Sequence, residues 1–141
     1  MVVVGCGGGN ERLSARDYAR EASGLCRRSN RSVARVEMPP LSRTTDASRA
    51  MARIVVVQRS TVDELRDLRP PEAFGATVQK WIALLDQGAD ELELMGLRLR
   101  AGHADEALAY GAKAETLLDR ARDLVAPLRV TSCRGPVLPT V

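Results

Sequence analysis

Three cysteines, Cys6, Cys26 and Cys133, are the residues of this chain best equipped to do chemistry. Cys6 ends the run Val3-Val4-Gly5-Cys6 and is followed by Gly7-Gly8-Gly9-Asn10. Small residues before a cysteine and a Gly-rich tether after it make a lipobox-like arrangement, in which the thiol is lipidated, so Cys6 is the expected lipid attachment site. Cys26 and Cys133 stand near the two ends of the remaining chain and are candidates for a disulfide. The alternative is two unpaired buried thiols acting as small hydrophobes. A cysteine left over beside a pair is accounted for if it carries lipid.

An export signal needs a positive stretch and an apolar run of about 7–15 residues. Only Met1 to Gly5, without charge, precede Cys6. The expectation is that the true start lies upstream and that Met1 is a misplaced start; a chain beginning here would stay cytoplasmic. In that case Arg27-Arg28 beside Cys26 could lower its thiol pKa and support weak redox chemistry.

Other reactive groups are sparse. The single histidine, His103, follows Gly102 in a turn, and no Cys or His stands at metal-ligand spacing from it. There is no Ser-His-Asp set and no phosphate loop. Asp86, Asp90 and Glu93 stand at i, i+4 and i+7. They read as a solvated acidic helix face, or as oxygen ligands for a hard cation. The Glu-x-x-His pairs of a di-iron bundle are missing. Trp81, next to Ile82, is expected to cap the core. Val2-Val3-Val4-Gly5-Cys6-Gly7 looks like a dinucleotide-binding turn, but Asn10 replaces its third glycine and no further parallel strands follow. No catalytic, cofactor-binding or metal residues are assigned.

The elements that position these residues are helical. Ser14 and Asp17 make a capping-box-like pair, and Tyr18, Ala22, Leu25, Cys26, Val33 and Val36 form the first apolar stripe, broken at Ser29. Met38-Pro39-Pro40 stops it. A second helix starts near Thr44 or Thr45, with Ala47, Met51, Ile54, Val57, Thr61, Leu65 and Leu68 on one face, and ends before Pro70-Pro71. A third begins between Glu72 and Thr77, and Val78, Ile82, Leu85, Ala89, Leu92, Gly96 and Leu99 form its packing seam. Gly102 stops it, and Asp105 is the expected N-cap of the fourth. The expected seam there is Ala107, Tyr110, Ala114, Leu117, Ala121, Leu124 and Leu128, with Pro127 ending or bending the helix. Gly88, Gly96 and Gly111 either let helices approach closely or leave them soft.

The predicted fold is all-α: an antiparallel up-down four-helix bundle over residues 14–134 with an extended C-terminal tail. Residues 1–13 are read as a leader remnant and tether, and 135–141 as a flexible tail. In this topology the end of the fourth helix lies beside the start of the first. Cys26 is roughly 18 Å along that first helix. Six extended residues after Pro127 reach about 20 Å, so a bridge to Cys133 is feasible though not forced.

Composition sets limits on function. The chain has 141 residues, enough for one domain, with one Phe, one Trp and two Tyr. No stretch of 18 or more apolar residues spans a membrane. Residues 1–59 carry 11 Arg against 5 acids, and the remainder is acidic. The arginine excess reflects either codon bias or a basic half facing anionic lipid headgroups. Nucleic acid is not expected, since no aromatics interleave with the arginines.

These pieces together resemble a loosely defined group of small bacterial lipoproteins of unknown function, frequent in actinobacterial genomes. The resemblance rests on Val3-Val4-Gly5-Cys6, on Tyr18-Ala19-Arg20-Glu21-Ala22-Ser23-Gly24-Leu25-Cys26, and on Leu65-Arg66-Asp67-Leu68-Arg69-Pro70-Pro71 with Trp81-Ile82-Ala83-Leu84-Leu85-Asp86. The terminal Leu128-Arg129-Val130-Thr131-Ser132-Cys133 completes it. It implies a helical bundle crossed by a Cys26–Cys133 disulfide, anchored through lipidated Cys6 on the outer face of the cytoplasmic membrane. The expected role is a non-enzymatic binding or envelope-interaction module without cofactor. The rival is a cytosolic helical adaptor or weak thiol-redox protein.

Overall fold

The Ser14 hydroxyl accepts a hydrogen bond from the Asp17 amide at 3.1 Å and so sets the start of α1 (Ala15–Ala34). The structure, a computed structural model, describes residues 11–133. After α1 come α2 (Thr44–Asp67), α3 (Gly75–Arg100) and α4 (Ala104–Val125), with 3-10 turns at Glu72–Phe74 and Ala126–Leu128. Cys6, the Gly-rich stretch and the segment from 134 onward lie outside the described residues. Glu11 to Leu13, expected as tether, are not wholly free of the bundle. The Leu13 amide donates to the Arg69 carbonyl at 2.9 Å, and Leu13 packs against the core.

The fold is an all-α four-helix bundle. Its core has two centres, and their membership fixes the directions of the helices. One joins Tyr18, Ala22 and Leu25 of α1, Val62 and Leu65 of α2, Trp81 and Leu85 of α3, and Leu118 and Val125 of α4. The other joins Ala47 and Met51 from the start of α2, Leu92 and Leu99 from the end of α3, and Ala107 from the start of α4, with Val33 and Val36 packed on it. Each helix therefore runs opposite to the one before it. Burying each large side chain here contributes roughly 1.5–3 kcal/mol.

Several expectations are corrected. The fourth helix is capped at His103, not Asp105. Gly102, at φ +84°, reverses the chain within three residues, and the His103 carbonyl already accepts from the Ala107 amide. Asp105 then lies in the first turn, where its charge suits the helix dipole. The buried face of α4 is Ala107, Gly111, Ala114, Leu118, Ala121 and Val125. Tyr110, Leu117 and Leu124 are half-buried at its border. Val57 of α2 and Leu68 just past its end are likewise half-buried, with Gln58 and Val62 inside instead. Trp81 does not cap the core: it is fully buried within it.

Of Gly88 and Gly96 in α3, only Gly88 serves close approach. A Cβ at Gly88 would stand 3.0 Å from Leu118 Cδ2 and 3.2 Å from its Cγ, whereas one at Gly96 would meet Met51 Cγ at 3.4 Å. Gly96→Ala is therefore expected to stabilise the protein by about 0.5–1 kcal/mol, since helix propensity improves and the methionine is adaptable. Gly88→Ala should destabilise it by about 1 kcal/mol, because crowding of the α3–α4 seam outweighs the propensity gain. Urea midpoints of the two variants, moving in opposite directions, check this.

Candidate functional site

Past α4 the chain turns sharply. Arg129 (φ 58°) and Ser132 (φ 68°) hold left-handed backbone, which non-glycine residues adopt at a cost of roughly 1–2 kcal/mol each. The segment is held to α1 by three attachments. The Thr131 amide donates to the Ser23 hydroxyl at 2.9 Å, and Asn30 Nδ2 donates to the Ser132 carbonyl at 2.6 Å. The third is a disulfide between Cys26 and Cys133, with Cα atoms 4.9 Å apart. Leu128 and Val130 are buried in the adjoining core. The tail thus climbs along α1 from its start toward its end.

Both bridged cysteines are buried, Cys26 at 4% and Cys133 at 7% exposure, so solvent thiols have little access to the bond. The neighbouring arginines project outward, and Arg28 pairs with Glu64 at 3.5 Å. Beside the bond lies a cavity of about 20 Å³ lined by Ser29, Gln58 and Thr61 among others. It is water-sized and no place for a ligand. Ser23 and Asn30 as anchors of the tail were not anticipated. Their signal was small polar residues on the same helix face as Cys26.

The acidic trio is brought together, though not as a bare cluster. Arg59 reaches across from α2: its Nη1 bonds Asp86 at 3.0 Å, while Nη2 bonds Asp90 at 2.6 Å and Glu93 at 2.9 Å. These hydrogen bonds, to Asp90 and Glu93 first, raise the pKa of the guanidinium further. Arg66 adds a contact to Asp86 at 2.9 Å. The protein's own cation thus sits where a hard metal ion was considered. Among the described residues, no group of three or more His, Cys, Asp or Glu is placed to hold a metal. His103 is exposed on the turn between α3 and α4, at the other end of the bundle from the start of α1, 3.8 Å from Glu106.

Burial pushes the Tyr18 phenol up to about 12, and its hydroxyl has no hydrogen-bond partner among the described residues. Its folded pKa thus exceeds the unfolded value near 10. The folded form binds the proton more tightly, so stability is intact below pH 10 and falls as pH rises through 12. Wild type should lose about 2–3 kcal/mol across this window relative to Tyr18→Phe. At neutral pH Tyr18→Phe should be neutral or slightly stabilising, because an unsatisfied buried group is removed. Denaturant titrations at paired pH values test both statements. Among the described residues no helix is long and apolar enough to cross a membrane. The chain matches no family model, no curated protein and no solved structure.

Proposed function

We propose that this chain is a lipid-anchored, extracytoplasmic helical bundle that acts without catalysis as a binding or envelope-interaction module. The observation that carries the reading is the buried Cys26–Cys133 bond. Structural disulfides persist in oxidising compartments and are rare in the cytosol. The lipobox-like Val3-Val4-Gly5-Cys6 supplies the anchor, and the resemblance to small bacterial lipoproteins agrees with it. The non-enzymatic part rests on the separation of the reactive side chains, with His103 exposed and all three members of the acidic trio engaged by Arg59.

Expression of the gene with its upstream region, followed by mass measurement, tests the anchor. The expected product begins at a diacylglyceryl-modified Cys6. An unmodified Cys6 behind an intact leader would sink the claim. The rival cytosolic adaptor or thiol-redox reading predicts three titratable thiols in cells, whereas export predicts none or one.

A further inference from the structure

At the end of the bundle where α1 begins, the structure holds a pocket of about 440 Å³. That volume lies in the range of small-molecule sites. Its walls are apolar: Ala19, Tyr18, Phe74, Pro127 and Leu128 contribute to them. Two arginines, Arg16 and Arg129, complete the lining, and no acidic residue belongs to it. Both arginines are exposed, and their side chains make no ion pair or hydrogen bond with another described residue. Asp17, next to Arg16 in the chain, pairs with Arg20 at 3.1 Å, and Glu72 lies between the lining residues Pro71 and Phe74 on the adjacent 3-10 turn. Tyr18 is only 1% exposed, and its buried hydroxyl has no partner among the described residues.

An apolar hollow flanked by two unneutralised cations suits a molecule that is anionic at one end and hydrocarbon at the other. We propose that this pocket receives an anionic phospholipid, its phosphate between Arg16 and Arg129 and the first carbons of a chain against Phe74 and Leu128. A free inorganic anion would leave the apolar walls unused. The choice of a bilayer lipid rests on the anchored reading above. The chain enters the bundle at this end, through Leu13 bonded to Arg69. Four residues, 7–10, stand between Cys6 and Glu11, and the five steps span at most about 18 Å. The other wide pocket nearby, between α2 and α3, includes Asp86 in its lining and lacks this one-sided charge.

The test uses the full chain, oxidised and carrying no lipid, with vesicles of phosphatidylcholine alone or with about 30 mol% phosphatidylglycerol. Binding is expected only to the anionic vesicles. The Arg16→Ala/Arg129→Ala variant should bind them roughly 30-fold more weakly. Arg31→Ala/Arg35→Ala, about 22 Å further along α1 and beyond the screening length, should lose less than about threefold. Equal losses for the two pairs would mean diffuse charge attraction and overturn the pocket. Equal binding to both vesicle types would overturn it too. So would displacement by inorganic phosphate at constant ionic strength, which would mark a free-anion site. All four arginines are exposed, and unchanged circular dichroism confirms the fold. Because Cys6 is unmodified in this assay, failure here leaves the anchor standing, and an unacylated Cys6 in cells leaves the pocket result standing.

Discussion

Cys133→Ser is expected to lower the unfolding free energy by about 4–5 kcal/mol, the largest loss from a change this small. The bond joins residues 107 apart, and the chain-entropy account of a loop that long gives nearly 5 kcal/mol. The native side argues in the same direction. Without the bond, two hydrogen bonds must hold the tail against the cost of two left-handed residues, and Leu128 and Val130 lose their clamp. Cys26→Ser should cost about as much. The double variant should cost little more than either, because all three remove one bond. Reductant should lower the melting temperature of wild type and leave the variants unmoved. A double variant whose loss is the sum of the two singles would mean that each cysteine contributes by packing, and the staple would have to be abandoned.

Trp81→Ala is the second large effect, at about 3–5 kcal/mol. The indole is completely buried among α1, α2 and α4 side chains, so truncation opens a cavity that the surrounding helices cannot close. A tryptophan merely lying over the core would cost far less. Trp81→Phe should lose only about 1–2 kcal/mol. It keeps most of the volume and removes an indole N–H that has no hydrogen-bond partner among the described residues. Urea unfolding followed by circular dichroism reads both, since the substitution removes the only tryptophan fluorophore. Trp81→Ala combined with reduction of the disulfide should remove about 7–10 kcal/mol, most of a total stability of roughly 5–15 kcal/mol.

The contrast between Trp81 and the α4 seam shows where sequence reading stops. The helices themselves were legible because their signals are local. Ser14 with Asp17 opens α1, Pro70-Pro71 closes α2, and Gly102 turns the chain between α3 and α4. The phase of α4 was not. Tyr110-Gly111, Leu117-Leu118 and Leu124-Val125 offer two adjacent apolar stripes one residue apart. The stripe carrying Gly111 faces inward, and Ala107, Ala114 and Ala121 belong to both. The same logic hid Trp81: a lone aromatic among aliphatics has no periodicity of its own to say whether it lies at a border or a centre. Arg59 was invisible for another reason. It lies 27 residues before Asp86, and only the antiparallel turn after α2 brings the two together. The Cys26–Cys133 pairing fell in between, since topology made it feasible and only the left-handed turns at Arg129 and Ser132 show how the tail gets there.

The position of that bond has a consequence for how the molecule breaks. All three connections between helices, at 35–43, 68–74 and 101–103, fall between Cys26 and Cys133, inside a covalent ring. These connections are also where a protease would most readily find exposed backbone. A single cut in any of them yields two fragments that remain one molecule, with each fragment still carrying helices packed against the other. Nicked and intact protein should therefore migrate together on a non-reducing gel and separate only once the sulfur bridge is opened.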